Sequence, residues 1–226
     1  MTIYERALEF VAGGMAVGLG SGRAATEFTR LLGERVRAGL RVRAVTTSVR
    51  TTELAAALGI PVVPLGEGMP LDLAVDGADE VDPNLDLIKG YGRALVREKI
   101  VAAAAKRFVI LVGPGKEVPV LGSRGNLPVE VVPFGLPLCR ARLRDLGLDP
   151  VPCAANGQLL LTDNGNHILD CGTRPIADPA SLEARIRAIP GVVGTGLFLG
   201  MADTVLVGDD HFRLLAERRR SASGGA

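Results

Sequence analysis

Strand-like runs at residues 15–20, 41–46, 61–65, 71–76 and 108–113 alternate with helix-period segments near 3–11, 24–37, 48–58 and 94–106. This alternation constrains the first half of the chain more than any other feature. The runs are short and largely apolar, without the in–out pattern of a strand that has one face in water. Strands buried on both faces and joined by helices pair in parallel, because each helix carries the chain back across the sheet. The expected fold is therefore α/β: a Rossmann-like, largely parallel sheet flanked by helices. In such sheets ligands sit beyond the carboxyl ends of the strands, near a switch in strand order. The ends of the first, second and fourth runs are the places to look.

After Gly122 the pattern changes. PVEVVPF predicts a strand between prolines, and residues 137–147 predict a short helix. QLLLTDNGNHILDC reads as a hairpin turning at Asp163-Asn164-Gly165. Asp178 before Pro179 is a helix start, with Asp as N-cap and Pro in the first helical position. This β-α-β-β-α order predicts a smaller α+β, ferredoxin-like domain inserted near the C-terminus. GLFLGMADTVLVGDD predicts two further strands that rejoin the first domain. The expected division is a catalytic domain from 1–126 and 198–226, with 127–197 as a lid or oligomerisation domain. The small, polar, basic tail RRRSASGGA is expected to be disordered.

Lys plus Arg number 26 against 25 Asp plus Glu, so no overall field draws nucleic acid or an anionic membrane. Any charged partner must be met locally. No apolar run reaches the roughly 18 residues of a membrane span, and the charged start MTIYERALEF does not fit a secretion signal. Cys139, Cys153 and Cys171 lack metal-ligand spacing and are expected as reduced packing thiols of a cytoplasmic protein. With no Trp and 4% aromatics, a base-stacking platform is not expected.

Chemistry concentrates in three stretches. GLGSGRA, residues 18–24, lies at a strand-to-helix junction, where glycines permit a tight turn and the helix start offers free N–H groups to an anion. A dinucleotide fingerprint would need glycine where Arg23 stands and an acid at the end of the second strand, which ends instead in Thr46-Thr47-Ser48. A P-loop lysine is also absent. The stretch reads as a phosphate cradle, against the competing reading of a structural turn. The Thr-Thr-Ser hydroxyls serve equally as a helix cap or as part of an anion or polyol site. AVDGADEVD, residues 74–82, places Asp76 and Asp79 around Gly77, so both can face one cavity, while Glu80 and Asp82 are expected in solvent. Its spacing is not that of a calcium loop, and no histidine lies near it. KGYGRALVREKI, residues 89–100, puts Lys89 before a glycine-spaced turn and a helix. There Val96, Ile100 and Ala103 share an apolar face and Glu98 projects from the opposite one. No residue three or four away explains Glu98 as a salt-bridge partner. A carboxylate in a partly closed cleft can act as a general base.

In order, GLGSGRAATEF, TTSVRTTELAAALGI, AVDGADEVDPNLDLIKG, LVREKI, GKEVPVLG, LPVEVVPFG, DNGNHILD and GVVGTGLF resemble the ribose-5-phosphate isomerases of the A type over most of the chain. The resemblance implies an aldose–ketose isomerase of the pentose phosphate pathway, without cofactor or metal, assembled as a homodimer or homotetramer. Its partner would be a sugar phosphate, not nucleic acid or membrane. It implies that Glu98 moves the proton between C2 and C1 through an enediolate. Asp76 and Asp79 would handle hydroxyl protons and ring opening, and Lys89 would stabilise the developing oxyanion. Ser21, Gly22, Arg23 and Ala24 would hold the phosphate and Lys116 would border the substrate. Thr47, Gly77, Ala78, Gly90, Tyr91 and Gly92 complete the expected substrate-binding positions.

The chain departs from the family where threonines are replaced in Gly20-Ser21-Gly22-Arg23-Ala24, and where Tyr91 and Arg93 enter a run that is otherwise glycine and alanine. Arg23 or Arg93 is expected to supply replacement phosphate donors. A non-catalytic sugar-phosphate sensor on the same scaffold is the rival reading.

Overall fold

Ala16–Leu19, Phe108–Val112 and Thr204–Gly208 are buried along their whole length, in keeping with residues that are apolar but for Thr204. The structure, a computed structural model, describes residues 1–66 and 70–220, which form two compact units. The first comprises Met1–Gly77, Val101–Lys116 and the described residues from Gly200 onward. Its six-stranded sheet runs Leu214–Arg219, Thr204–Gly208, Phe108–Val112, Leu73–Gly77, Ala16–Leu19, Arg43–Thr46. All neighbours are parallel except Leu214–Arg219, which is antiparallel at one edge. The chain moves outward from Ala16–Leu19 to Arg43–Thr46 and then returns to the other side with Leu73–Gly77. Strand order therefore reverses between Ala16–Leu19 and Leu73–Gly77, and Gly20 and Asp76 sit at the ends of those two strands. Gly22–Arg37 covers the sheet with Ala25, Phe28, Thr29 and Leu32, the spacing of one helical face. Phe28 and Leu32 join a core with Val17, Leu19, Val75, Val109 and Leu206.

The second unit comprises Ala78–Ile100 and Glu117–Leu199. Its four-stranded antiparallel sheet runs Val192–Thr195, Asn126–Val131, His167–Gly172, Asp149–Pro152. Helices Leu136–Asp145 and Pro179–Arg187 complete a β-α-β-β-α-β, ferredoxin-like order. As expected, Asp178 caps the second of these helices by accepting from the Ser181 N–H, with Pro179 in its first turn. A three-stranded sheet of Leu197–Phe198, Leu87–Ile88 and Glu80–Val81 lies in the same unit.

Several expectations are corrected. Residues 61–65 form no strand; Val62 makes one bridge to Ala44, since Pro61 and Pro64 have no N–H to continue a ladder. Gln158–Leu159 and His167–Gly172 do not pair as a hairpin: the first pairs with Ala154–Ala155, the second with Asn126–Val131 and Asp149–Pro152. The turn between them is held by the buried Glu130 carboxylate, which accepts from Thr162, Asn164 and Asn166 side chains at 3.0, 3.1 and 2.9 Å. Of the two strands expected after Gly196, only Thr204–Gly208 belongs to the first unit. Arg218 and Arg219, expected in a disordered tail, end the edge strand; residues 221–226 lie outside the described residues.

Glu80 is corrected most sharply. Expected in solvent, it is 0% exposed and its carboxylate accepts from the backbone N–H groups of Gly122 at 2.6 Å and Arg124 at 2.7 Å. Each such charge-assisted bond contributes about 1.5–3 kcal/mol. Glu80→Gln turns an amide NH2 toward one of those donors and is expected to lower stability by about 2–3 kcal/mol. Urea unfolding monitored by circular dichroism checks this, and an unchanged midpoint contradicts the anchoring role.

Candidate active site

In the first unit, hydroxyls gather at the ends of the first two strands. Ser21 is the N-cap of Gly22–Arg37, but its hydroxyl makes no cap bond to that helix. It lies 2.8 Å from the Thr47 hydroxyl and 3.0 Å from that of Ser48. Ser48 caps its own helix by accepting from the Thr51 N–H, and the Thr51 hydroxyl donates to the Gly20 carbonyl. The cap reading of Thr46-Thr47-Ser48 holds at Ser48, and the Ser21, Thr47 and Ser48 hydroxyls gather in one cluster. Because Ser21 turns away, the first-turn N–H groups of Gly22–Arg37 are not satisfied by its side chain, leaving the positive end of the helix dipole to an anion. Gly22, at φ +87°, makes the entry into this helix without steric cost. Ala24 lies within the first turn, and Arg23 is exposed with its guanidinium 5.5 Å from the centre of the Phe212 ring.

Asp76 is 2% exposed at the end of Leu73–Gly77, and its carboxylate accepts from the Gly77 N–H at 2.7 Å. Gly20 is the residue that gives it room. A Cβ at Gly20 would stand 2.0 Å from Asp76 Cγ and 2.1 Å from Oδ1. Gly20→Ala therefore forces Asp76 out of position, at an expected cost of about 1–3 kcal/mol, with turnover falling alongside the melting temperature. An unaltered melting curve contradicts this packing. Thr47 is buried, while Gly77 and Lys116 are half-buried at the ends of their strand and loop.

In the second unit, Lys89 and Glu98 form a buried ion pair, Nζ to Oε2 3.2 Å, with the two side chains 3% and 4% exposed. The Lys89 backbone is fixed by its N–H donating to the Gly196 carbonyl at 2.9 Å. Its ammonium also lies 5.4 Å from the centre of the Phe198 ring, whose other cationic neighbour is Lys99 at 4.9 Å. The helix Leu95–Ala104 that carries Glu98 turns the expected way round only in part. Glu98 does oppose Ile100, but Ile100 is 50% exposed, whereas Leu95, Glu98, Val101 and Ala102 are buried. Of the apolar face shared by Val96, Ile100 and Ala103, the last two are exposed and Val96 packs partly buried against Leu95, Cys153 and Ile168, while Glu98 is buried. Asp79 and Ala78 are half-buried, and the Asp79 carboxylate accepts from the Tyr91 N–H at 3.0 Å. Gly90, at φ +110°, starts the turn that carries Tyr91, Gly92 and Arg93.

The second unit thus holds a buried carboxylate beside an ammonium and a second carboxylate fixed by a backbone donor, and the first unit holds a helix start fringed with hydroxyls. Comparison with known proteins gives the family. Residues 43–211 match the model of the ribose 5-phosphate isomerase A (phosphoriboisomerase A) family. The chain belongs to that family. It is 54% identical to the ribose-5-phosphate isomerase A of Roseiflexus castenholzii over 210 residues, 91% of this chain and 90% of the relative. The solved ribose 5-phosphate isomerase A of Methanocaldococcus jannaschii superposes with a TM-score of 0.90 at 38% identity, covering 96% of each chain. A D-ribose-5-phosphate isomerase in complex with phospho-erythronic acid superposes at 0.91 with 37% identity, again over 96% of each.

The candidate site residues read from the sequence fall in both units. Ser21, Gly22, Arg23, Ala24, Thr47, Asp76, Gly77 and Lys116 belong to the first; Ala78, Asp79, Lys89, Gly90, Tyr91, Gly92 and Glu98 belong to the second. Residue-level reading missed Ser48 and Thr51 as partners of Ser21, and Phe198 as the ring beside Lys89. The repeated Ser and Thr in TTSVRTT were the available signal for the first; nothing local in the sequence signals the second. Arg93, a candidate phosphate donor by sequence, instead pairs with Asp170 at 2.6 Å. The three cysteines are buried free thiols, and burial pushes Cys139 and Cys171 up from the ordinary thiol range.

Proposed function

We propose that this chain interconverts D-ribose 5-phosphate and D-ribulose 5-phosphate in the non-oxidative pentose phosphate pathway, by proton transfer through an enediolate. The buried Lys89–Glu98 pair carries the reading. Isomerisation moves one proton between adjacent carbons and places negative charge on an oxygen, so it needs a base that spans both carbons and a cation at that oxygen. Two groups 3.2 Å apart and shielded from water supply both. Glu98 takes the proton from C2 of the open-chain aldose while the C1 oxygen gains charge beside Lys89. The same carboxylate returns the proton to C1, and the C2 hydroxyl loses its proton to become the ketone. Asp76 and Asp79 relay the oxygen-bound protons and assist ring opening, so the reaction is balanced without an electron acceptor.

The proposal assigns the phosphate to Ser21, Gly22, Arg23 and Ala24 at the helix start, with Thr47 and Lys116 at its border. Gly77, Ala78 and the Gly90-Tyr91-Gly92 turn complete the surface offered to the sugar. The small ferredoxin-like module serves as lid or oligomerisation element of a homodimer or homotetramer. Exposed Phe134 and Leu161, 97% and 63%, favour that use of its surface. Among the described residues no helix is long and apolar enough to cross a membrane, which fits the cytoplasmic assignment proposed with this function.

Purified protein given ribose 5-phosphate in excess EDTA is expected to form ribulose 5-phosphate, read by the absorbance of the ketose or by a coupled assay. Calorimetric binding of ribose 5-phosphate without any turnover would instead favour the sensor.

A further inference from the structure

Arg93 has φ +68°, the left-handed region, where a side chain other than that of glycine strains the backbone. Such strain persists only where surrounding contacts over-determine it, and it gathers at functional positions. The contacts here are specific. The Arg93 guanidinium donates to Asp170 Oδ1 at 2.6 Å, and Asn126 Nδ2 donates to the same oxygen at 3.1 Å. Asn126 and Asp170 stand on neighbouring strands of the antiparallel sheet, Asn126 opposite Gly172 and Asp170 opposite Pro128. The Tyr91 hydroxyl donates to the Asn126 carbonyl at 3.3 Å. Burial, with Asp79 and Glu80 nearby, pushes this hydroxyl up to about 12, so it stays a donor at ordinary pH. The turn is closed by the Arg93 N–H donating to the Gly90 carbonyl at 3.0 Å.

The turn is therefore tied at two points to a rigid strand pair. What it presents is the Tyr91 N–H, aimed at Asp79 Oδ2 at 3.0 Å. We propose that Arg93 and Asp170 are positioning residues that clamp the Gly90–Arg93 turn so that the Tyr91 amide orients the Asp79 carboxylate for catalysis. This rests on the reading of Asp79 as a substrate-facing group. Arg93 contributes no phosphate contact under this assignment; its guanidinium is committed to Asp170. The left-handed backbone at Arg93 lets one residue close the turn and send its side chain to the sheet.

Arg93→Gly separates positioning from folding. Glycine accepts the left-handed backbone freely, so the local strain is relieved while the clamp is lost. The expected result is a melting temperature close to that of the unaltered protein, with kcat lower by about 10-fold to 10²-fold, the scale of an ångström-sized misplacement. Asp170→Asn is expected to reduce kcat similarly, and the double variant to be no worse than either single one, because both break one link. Amide hydrogen exchange at Tyr91 is expected to quicken in all three. Arg93→Gly with unchanged kcat and unchanged Tyr91 exchange would overturn the proposal. So would a kcat loss that tracks only a fall in folded fraction. Failure of the isomerase reading shows separately, as an unaltered protein with no turnover. Tyr91 exchange then decides the clamp by itself, since protection unaffected by Arg93→Gly and Asp170→Asn removes it.

Discussion

Glu98→Gln is expected to lower kcat by about 10²- to 10⁴-fold, the usual contribution of a positioned general base, with little change in KM. The substitution keeps the volume of the side chain and removes its basicity. Glu98 lies 3.2 Å from Lys89 with only 4% of its side chain exposed, so no bulk water stands ready to replace it as proton acceptor. The phosphate, which supplies most of the ground-state grip in this account, is held by other residues. Stability must be measured beside turnover, because the amide leaves the Lys89 ammonium facing a neutral group in a dry environment. Removing one partner of a buried pair costs about 3–5 kcal/mol in general. The glutamine carbonyl still accepts a hydrogen bond, which places the expected loss at the lower end. Circular dichroism and a melting curve establish that the inactive protein is folded. A folded Glu98→Gln protein with full kcat contradicts the base assignment.

Lys89→Met is expected to cost about 10²- to 10³-fold in kcat, the range found when one oxyanion stabiliser is removed from a preorganised site. Methionine is unbranched and tolerates contact with an aromatic ring, so it suits the place beside Phe198, 5.4 Å from the present ammonium. The loss of charge is therefore separated from a loss of packing. This variant keeps a buried carboxylate without the cation it faces, and it is expected to be less stable than Glu98→Gln. The double variant Glu98→Gln/Lys89→Met discriminates further. Replacing both members of a buried pair restores stability toward that of the unaltered chain, while turnover stays at or below the level of the worse single variant. Recovery of stability without activity is the signature of a pair retained for chemistry. A Lys89→Met protein within tenfold of the original kcat contradicts the oxyanion role.

Much of the parallel sheet was legible, because a strand buried on both faces is mostly apolar, and Ala16–Leu19, Phe108–Val112 and Thr204–Gly208 are apolar at every position but Thr204. The small module was legible from its element order, though not its pairing. The turn at residues 162–166 is fastened to Glu130 and not to the strand beyond it, a long-range bond with no local trace. Buried charge was the systematic blind spot. Hydropathy assigns every carboxylate to solvent, so Glu80 was placed outside although two backbone donors hold it at 0% exposure. On Leu95–Ala104 the periodicity groups Val96, Ile100 and Ala103 on one apolar face, yet Ile100 is half exposed and Glu98 is buried. The inner face of this helix sets Glu98 among the apolar Leu95, Val101 and Ala102. The order of motifs made the positions of Lys89 and Glu98 readable as a set. It did not show that they touch, nor that Arg93 is spent on Asp170. Those facts depend on backbone geometry that residue types alone do not carry.

Proton transfer between C2 and C1 by the single carboxylate of Glu98 is the step to follow. It is tested most directly by following ribose 5-phosphate with the unaltered protein in D2O by proton NMR. Over repeated turnovers deuterium is expected to enter C1 of ribulose 5-phosphate, to an extent set by how fast the shielded Glu98 carboxyl exchanges before returning its proton, and no such signal is expected with Glu98→Gln. Folded Glu98→Gln that forms ribulose 5-phosphate at the full rate, or an unaltered protein that forms none, would contradict this transfer.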